Sequence, residues 1–185
     1  PNEDTADHTA EVFEGADRRL LTVMFCDIVG STKMSERFEP EDLRDLIRRY
    51  QKVCGDVVEA YDGHVAQYLG DGLLIYYGYP VALEDEAYCA IRSALEIMDQ
   101  LENDAEILQK LGAPMQVRIG IHTGSVVVGE MGGGGRNEHL ALGDTPNVAA
   151  RIQSAADPGE VLISASTHRL TEGLFNTQAL GERQL

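Results

Sequence analysis

Basic residues are scarce in this chain. Its 185 residues include 15 lysines and arginines against 31 aspartates and glutamates, which gives a formal net charge of −16. A surface of this sign repels phosphate backbones and anionic lipid headgroups, so nucleic acid and anionic membranes are not expected as partners. An acidic protein that handles a polyphosphate must therefore bring cations or local arginines to its site.

Long apolar runs and clustered cysteines are also missing. No stretch approaches the roughly 18 apolar residues of a membrane span, and no signal peptide is visible, so we expect no membrane insertion of this segment. The three cysteines, Cys26, Cys54 and Cys89, lie in apolar patterns without metal-ligand spacing. That usage is typical of a reducing compartment and predicts a cytoplasmic, intracellular domain.

The length fits one domain, over residues 18–185, preceded by an acidic linker or disordered segment over residues 1–17. The chain begins without Met and ends in mid-pattern. We therefore expect a domain, truncated at its C-terminal end, of a longer protein that carries further regulatory domains.

The apolar run over residues 20–28 ends in a carboxylate and then in a turn with one glycine and two hydroxyls. Its unbroken β-prone residues predict a central strand buried on both faces. Asp27, at the exit of such a strand, is costly to desolvate unless it is paired, hydrogen-bonded or bound to a cation. From this stretch alone, helix capping near Gly30 and cation binding are equally open interpretations.

A second carboxylate stands between two β-prone runs, in Gly70-Asp71-Gly72. Asp-Gly in this setting predicts a hairpin, because glycine supplies the positive φ that a tight turn needs. Taken alone, Asp71 is better explained as a turn residue than as a ligand. A strand-end Asp, a Gly-Ser-Thr turn, a long helix and an Asp at a hairpin tip are together typical of a two-metal phosphoryl-transfer site on a split βαβ sheet.

Hydrophobic periodicity predicts the remaining elements. The first are a helix from Pro40 to Asp62-Gly63, a helix from Glu84 to about Leu111 and a hairpin over residues 116–130. They are followed by a mobile connection over 131–136, a strand over 139–142 and a helix after Asp144 with Val148, Ile152 and Ala155 buried. The last predicted elements are a strand over 161–163, a helix from about Ala165 and a strand-like stretch near Leu174. The glycine-rich connection lacks the Lys-Ser/Thr of a P-loop.

Three groups of residues could bind an anion. Backbone amides and hydroxyls in the strand-to-helix turn, at Val29, Gly30, Ser31 and Thr32, could cradle a phosphate. Arg118 lies on the polar face of a predicted strand and is either a phosphate ligand or a surface ion pair. Asn147 and Arg151 are four residues apart on one helix face, which fits an anion-binding device and a solvated turn about equally well.

Four blocks of the sequence resemble, in order and spacing, the catalytic domain of class III adenylyl/guanylyl cyclases. They are Phe25-Cys26-Asp27-Ile28-Val29-Gly30-Ser31-Thr32, Gly70-Asp71-Gly72, the stretch over 118–124 and the stretch over 143–151. The resemblance implies an α/β (α+β) fold, ferredoxin-like or palm-type, with a mainly antiparallel sheet, split βαβ connections and helices packed on it. It also implies a head-to-tail homodimer.

The resemblance assigns roles to these residues. Asp27, Asp71 and the Ile28 carbonyl would hold two Mg²⁺ or Mn²⁺ ions, and the 29–32 turn with Arg118 would bind a triphosphate. Asn147 would orient the ribose and Arg151 would stabilise the pentavalent phosphorus. The expected reaction converts ATP into 3′,5′-cyclic AMP and pyrophosphate, which makes the chain an adenylate cyclase, a phosphorus–oxygen lyase of intracellular signalling.

The base-reading positions depart from the family pattern. Adenylyl types most often place a lysine at position 67 and an aspartate or threonine at position 140, where this chain has Gln67 and Leu140. Gln67 can both donate and accept a hydrogen bond, whereas Leu140 can only pack against a base. A degenerate domain that binds nucleotide or only dimerises, and a guanylyl or relaxed-specificity cyclase, are therefore the alternatives. A diguanylate cyclase is not expected, because no Gly-Gly-Asp/Glu-Glu-Phe hairpin occurs.

Overall fold

The computed structural model describes residues 17–131 and 138–181, and of residues 17, 128–131 and 138–142 it describes the backbone alone. The predicted linker, apart from Asp17, and most of the predicted glycine-rich connection lie outside the described residues. The strands are β1 (Asp17–Ile28), β2 (His64–Leu69), β3 (Gly72–Tyr77), β4 (Val117–Met131), β5 (Glu138–Leu142) and β6 (Glu160–Ile163). The helices are α1 (Ser31–Arg37), α2 (Pro40–Ala60), α3 (Glu86–Asn103), α4 (Ala105–Leu111), α5 (Asp144–Ser154) and α6 (Ala165–Leu170).

The strands form one mixed sheet in the order β2-β3-β1-β4-β5, with β6 parallel to β4 and every other pairing antiparallel. The predicted fold class is confirmed. β1 is central, as its unbroken apolar run predicts, because it pairs with β3 on one side and with β4 on the other. The sheet also curls, so that Cα atoms of β2 and β5 come within 8 Å of each other although three strands separate them in pairing order.

The two faces of the sheet carry cores of different size. Side chains alternate across each strand. Met24, Cys26 and Ile28 of β1 join the main core, which includes the buried faces of α2 and α3, whereas Leu21 and Val23 join a smaller cluster with Ala149 of α5. By this alternation Asp27 points to the same side of the sheet as the smaller cluster.

The two long helices begin and end close to the predicted positions, with two differences. Pro40 is the first residue of α2, as predicted, but the left-handed residue after its end is Asp62 (φ 56°) and not Gly63. Gly63 is needed for space, because a Cβ there would lie 2.6 Å from the Tyr77 ring. The predicted helix to Leu111 is interrupted at Asp104, whose carboxylate caps α4 by accepting the Ile107 amide.

Three other expectations are wrong. The predicted hairpin over 116–130 is a single strand, because β4 continues straight through Gly124 and pairs with β1 along the whole of β1. The short helix α1 was not predicted between the turn at Gly30 and Pro40. No strand occurs near Leu174, where the described chain forms turns.

We expect Asp104→Ala to lower the free energy of unfolding by about 1–2 kcal/mol, because the cap of α4 is lost. The same carboxylate pairs with Arg49 Nη2 at 2.8 Å. Burial raises the pKa of Asp104, but the hydrogen bonds from Arg49 and from the Ile107 amide outweigh it and hold that pKa below its ordinary value. The stabilisation is therefore present above the ordinary carboxyl pKa and should fade as the pH falls through the acidic range.

Urea unfolding of the wild type and variant at several pH values measures this difference. Asp99→Ala on the exposed face of α3 is the matched control and should change little. An equal loss in the two variants would contradict the assigned role of Asp104.

Candidate active site

Asp27 lies at the end of the central strand, between two partner strands. Its Cα is paired with Gly72 of β3 and with Arg118 of β4. A Cβ on Gly72 would lie 3.3 Å from Asp27 Oδ1, so the glycine lets this carboxylate lie close against the β2–β3 hairpin. The expectation that Gly72 supplies the positive φ of the turn is wrong, because Gly70 does so and Gly72 is the first residue of β3, where its missing Cβ makes room for Asp27.

Asp71 lies in the two-residue turn of that hairpin, as predicted, after Gly70 with φ 69°. Burial raises the pKa of Asp27, and the negative charge of Asp71 raises it further. A hydrogen bond from the Ile28 backbone and the charge of Arg118 act in the opposite direction without cancelling the rise. A carboxylate whose ionisation is opposed by burial and by a neighbouring negative charge is a group that a cation would stabilise.

The donor set fits a hard divalent cation whose coordination is completed by phosphate oxygens and water. Within residues 17–131 and 138–181 there is no cluster of three or more His, Cys, Asp or Glu arranged for a metal ion. Mg²⁺ is commonly held by one or two carboxylates, with the remaining positions filled by water and substrate phosphate oxygens. Asp27, Asp71 and the Ile28 carbonyl therefore match that pattern, and a cage made of protein side chains alone does not.

Arg118 supplies positive charge beside the carboxylates. Its side chain is partly buried, and its Nε is fully covered and has no hydrogen-bond partner among the described residues. A buried donor without an acceptor is costly, and a phosphate oxygen would satisfy it. This observation favours an anionic ligand over the surface ion pair that the sequence left open.

The predicted phosphate turn is the entry to α1. Gly30 adopts φ 74° as the N-cap residue, and a Cβ there would meet nothing within 4 Å, so the space beside it is open. The amide of Val29 is already used, because it donates to the Gln116 carbonyl at 2.9 Å. The amides of Gly30, Ser31 and Thr32 are those that the start of a helix leaves without partners within the helix.

Asn147 and Arg151 are exposed on α5, one helical turn apart, as predicted. The buried stripe of that helix is Thr145, Ala149 and Ile152, and the predicted Val148 and Ala155 are only partly buried. No hydrogen bond or ion pair within the described part of the chain joins Asn147 or Arg151 to Asp27, Asp71 or Arg118. A single chain therefore holds the carboxylate half and the α5 half of the candidate site without linking them directly.

The two predicted base-reading positions lie on β2 and β5. Gln67 is exposed and follows an irregularity in the β2–β3 pairing between Val65 and Gln67. The backbone of Leu140 is in β5, paired with Gly129, and its side chain lies outside the described residues. The curl of the sheet brings these two strands near each other, which the sequence pattern did not predict.

A nearby histidine has a structural environment. His122 Nδ1 is 2.9 Å from Ser164 Oγ, at the cap of α6, and burial lowers the pKa of this imidazole. An imidazole held in this way by a serine is not arranged as a metal ligand.

Comparison with known proteins agrees with this geometry. Residues 16–185 match the family model of the adenylate and guanylate cyclase catalytic domain, and the chain belongs to this family. The chain is 37% identical over 137 residues to adenylate cyclase 1 of Rhizobium meliloti, which covers 74% of this chain and 21% of that protein. It is 30% identical over 166 residues to the receptor-type guanylate cyclase gcy-13 of Caenorhabditis elegans, covering 88% of this chain and 16% of the relative.

Solved structures of both substrate classes resemble the fold. The adenylyl cyclase CyaB from P. aeruginosa superposes with a TM-score of 0.86 at 29% identity, covering 92% of this chain and 89% of that one. The guanylyl cyclase Cya2 superposes with a TM-score of 0.83, also at 29% identity, with 92% and 90% covered. The comparisons thus confirm the predicted family, and they include enzymes of both names. No helix within the described residues is long and apolar enough to cross a membrane.

We expect Asp27→Asn to raise the thermal stability of the metal-free protein at neutral pH. The folded state raises the pKa of Asp27, so the ionised carboxylate lowers stability once the pH exceeds its unfolded value of about 3.9. The amide removes that cost, and the advantage should disappear at acidic pH, where the wild-type carboxyl is protonated in both states.

Thermal melts in EDTA from pH 3 to pH 8 measure the effect. Asp157→Asn, at an exposed turn, is the matched control. A neutral-pH stability of Asp27→Asn at or below that of the wild type would contradict the expectation.

Proposed function

We propose that this chain converts ATP into 3′,5′-cyclic AMP and pyrophosphate. The nucleotide 3′-hydroxyl oxygen forms a bond to its own α-phosphorus, the bond from that phosphorus to the β-phosphate oxygen breaks, and the hydroxyl proton passes to solvent. The observation that carries the proposal is the position of Asp27, which feels the negative charge of Asp71 and is paired across the sheet with Arg118, whose Nε has no hydrogen-bond partner among the described residues. A cation and a polyphosphate together would satisfy both groups.

Each group of residues has a separate role in the proposed reaction. Asp27, Asp71 and the Ile28 carbonyl would hold two Mg²⁺ or Mn²⁺ ions, which lower the pKa of the hydroxyl and neutralise the leaving group. Arg118 and the amides of Gly30, Ser31 and Thr32 bind the triphosphate, and the hydroxyls of Ser31 and Thr32 add donors. No protein nucleophile is needed, so the cysteines and serines take no covalent part.

The active unit is a head-to-tail homodimer in this proposal. Asn147 orients the ribose and Arg151 stabilises the charge on phosphorus, and both act on nucleotide held by the partner's Asp27 and Asp71. The separation of these groups within one chain supports this arrangement, because no hydrogen bond or ion pair joins Asn147 or Arg151 to the carboxylate half among the residues that the structure describes. In this proposal the reaction takes place in the cytoplasm and domain 18–185 is attached to regulatory domains, since the matched segment covers only 16% to 45% of the length of relatives such as gcy-13 and adenylate cyclase 2 of Rhizobium meliloti.

Guanylyl or mixed specificity is the second candidate. Gln67 replaces the lysine of adenylyl types, and an amide can meet either purine edge. The similarity to both adenylyl and guanylyl cyclases fits this candidate equally well.

Mixing two inactive variants tests the shared site. Purified protein with Mn²⁺ and ATP is scored for cyclic product by mass, and Asp27→Ala and Arg151→Ala should each be inactive. After subunit exchange a heterodimer has one site with both lesions and one with neither, so about a quarter of the wild-type activity should return.

The control mixture combines Asp27→Ala with Asp71→Ala. Both lesions lie in the same half of the site, so this mixture should stay inactive. If the mixture of Asp27→Ala and Arg151→Ala stays as inactive as its parents after subunit exchange has been demonstrated by mass, the shared site is refuted. Near-normal turnover of either aspartate variant at saturating Mn²⁺ would refute the metal role.

We expect a preference for ATP over GTP that stays below about a thousandfold, which is about 4 kcal/mol. Strong rejection of a wrong base needs a buried polar group that the base leaves unpaired, whereas apolar contact discriminates by only ~1–3 kcal/mol. Gln67 is one adaptable amide and Leu140 cannot form hydrogen bonds. The measurement is the ratio of kcat/KM for the two nucleotides in one metal buffer.

Gln67→Lys with Leu140→Asp should sharpen the preference for ATP. The matched control is Gln100→Lys with Leu95→Asp, which makes the same changes on exposed positions of α3. An unchanged ratio in the first double variant would mean that these two positions do not face the purine.

A further inference from the structure

Helix α5 lies directly on the backbone of β4, at two glycines. A Cβ on Gly120 would lie 2.6 Å from the Ala149 carbonyl oxygen and 2.5 Å from Gln153 Cα, where ordinary contact begins at 3.4 Å. A Cβ on Gly124 would lie 2.6 Å from Thr145 Oγ1. Neither glycine has a positive φ, so the missing side chains are needed for the approach of the helix and not for a turn.

Thr145 fixes the first turn of α5 to the sheet. Its side chain is 4% exposed, and its Oγ1 donates to the Ser125 carbonyl at 2.9 Å. The hydroxyl does not cap α5, because Gly143 occupies the N-cap position and no side chain caps the helix. The hydroxyl is instead used between α5 and β4.

Asn147 and Arg151 lie opposite these contacts. Each helical residue advances about 100°, so residues two apart project about 200° from each other. Asn147 follows Thr145 by two positions, and Arg151 follows Ala149 by two. Any lift or rotation of α5 relative to β4 therefore moves both outward-facing groups, while the inner contacts decide where the helix sits.

We propose that Thr145, seated over Gly124, is a positioning residue for Asn147 and Arg151. Its bond to Ser125 and its contact with the glycine set the height and rotation of α5 against the strand that also carries Arg118. This inference rests on the proposed cyclase function. It adds a residue that touches neither nucleotide nor metal.

The proposal requires that a shift of α5 lowers kcat more strongly than it lowers the stability of the fold. A misplacement of about 1 Å in a positioned group can lower a rate about a hundredfold. Stability depends less on this one bond, because Ala149 and Ile152 of α5 also pack into buried surroundings. Loss of position should therefore lower kcat before it unfolds the helix.

The first arm of the test compares Thr145→Val with Thr145→Ser. Valine keeps the shape and removes the bond to Ser125, and we expect kcat to fall by between about tenfold and a hundredfold with KM within about threefold of wild type. Serine keeps the hydroxyl and should restore kcat to within about threefold. Equal kcat in the valine variant and the wild type would overturn the proposal, as would no rescue by serine.

Gly124→Ala is a second lesion, in case Thr145→Val folds poorly. The new Cβ presses on Thr145 Oγ1 and should produce the same fall in kcat with little change in KM. Gly55→Ala in α2 is the matched control, because a Cβ there meets nothing within 4 Å, and its kcat should not change. If Gly124→Ala changes kcat no more than Gly55→Ala does, the contact of α5 with Gly124 does not position the helix.

Mixing experiments assign Thr145 to one half of the site. Thr145→Val should recover activity with Asp27→Ala, which carries its lesion in the other half, and should not recover with Arg151→Ala. Recovery with Arg151→Ala but not with Asp27→Ala would place Thr145 in the carboxylate half and overturn the inference.

Hydrogen exchange separates failure of this inference from failure of the proposed function. Amides over residues 147–149, the first that can bond within α5, should exchange faster in Thr145→Val than in Thr145→Ser, while those of β1 stay unchanged. If the wild type forms no cyclic product, the cyclase proposal fails, and faster exchange still supports the anchoring of α5. Unchanged exchange at residues 147–149 overturns the inference whether or not product forms.

Discussion

A carboxylate held at the end of the central strand, beside a second carboxylate, is the constraint on which this structure depends. Burial and the charge of Asp71 both oppose the ionisation of Asp27, and the Arg118 charge only partly offsets them. A protein can hold such a group in place only if the strand that carries it cannot move away. β1 meets this condition, because both of its edges are paired and Tyr50 of α2 donates a hydrogen bond to the Cys26 carbonyl just before Asp27.

The alternation of side chains along three strands separates the face that packs into the main core from the face that carries the candidate active site. One face of β1, β3 and β4 packs into the main core, which includes Tyr50, Ile75 and Ile121. The other face has a smaller cluster and carries Asp27, Arg118 and the two glycines on which α5 packs, Gly120 and Gly124. Apolar residues of the main core and polar residues of the candidate site thus alternate along each strand, because successive side chains point to opposite faces.

The sequence predicted the parts of the fold that depend on local chemistry. The apolar run before Asp27, the hairpin with Asp71 at its tip and the periodic helix after Pro40 each follow from the residues within them, and each occurs where expected. The hairpin expected over 116–130 failed because Gly124 looks like a turn residue in isolation. In the structure it is a strand residue whose missing Cβ makes room for Thr145, and only tertiary packing decides between the two uses.

The candidate site shows the same limit. Asp27, Asp71 and Arg118 could be named from the pattern, and the structure brings them together at paired positions or at an adjoining turn. The buried stripe of α5 was misplaced, because small residues at Thr145 and Ala149 are buried only where glycines lie beneath them. The approach of β2 to β5 depends on the curl of the whole sheet, and no local pattern in either strand encodes it.

The continuous pairing of β1 with β4 has a consequence for partial unfolding. The ladder joins Asp27 to Arg118 at one end and continues past Leu21 and Gly124 to Val128, so one set of backbone bonds supports the carboxylate and the seat of α5. A local opening that released either half would have to break the ladder that holds the other. The two halves of the site should therefore belong to one cooperative unit, lost together in a single subglobal transition, while the termini and the exposed turns fray independently.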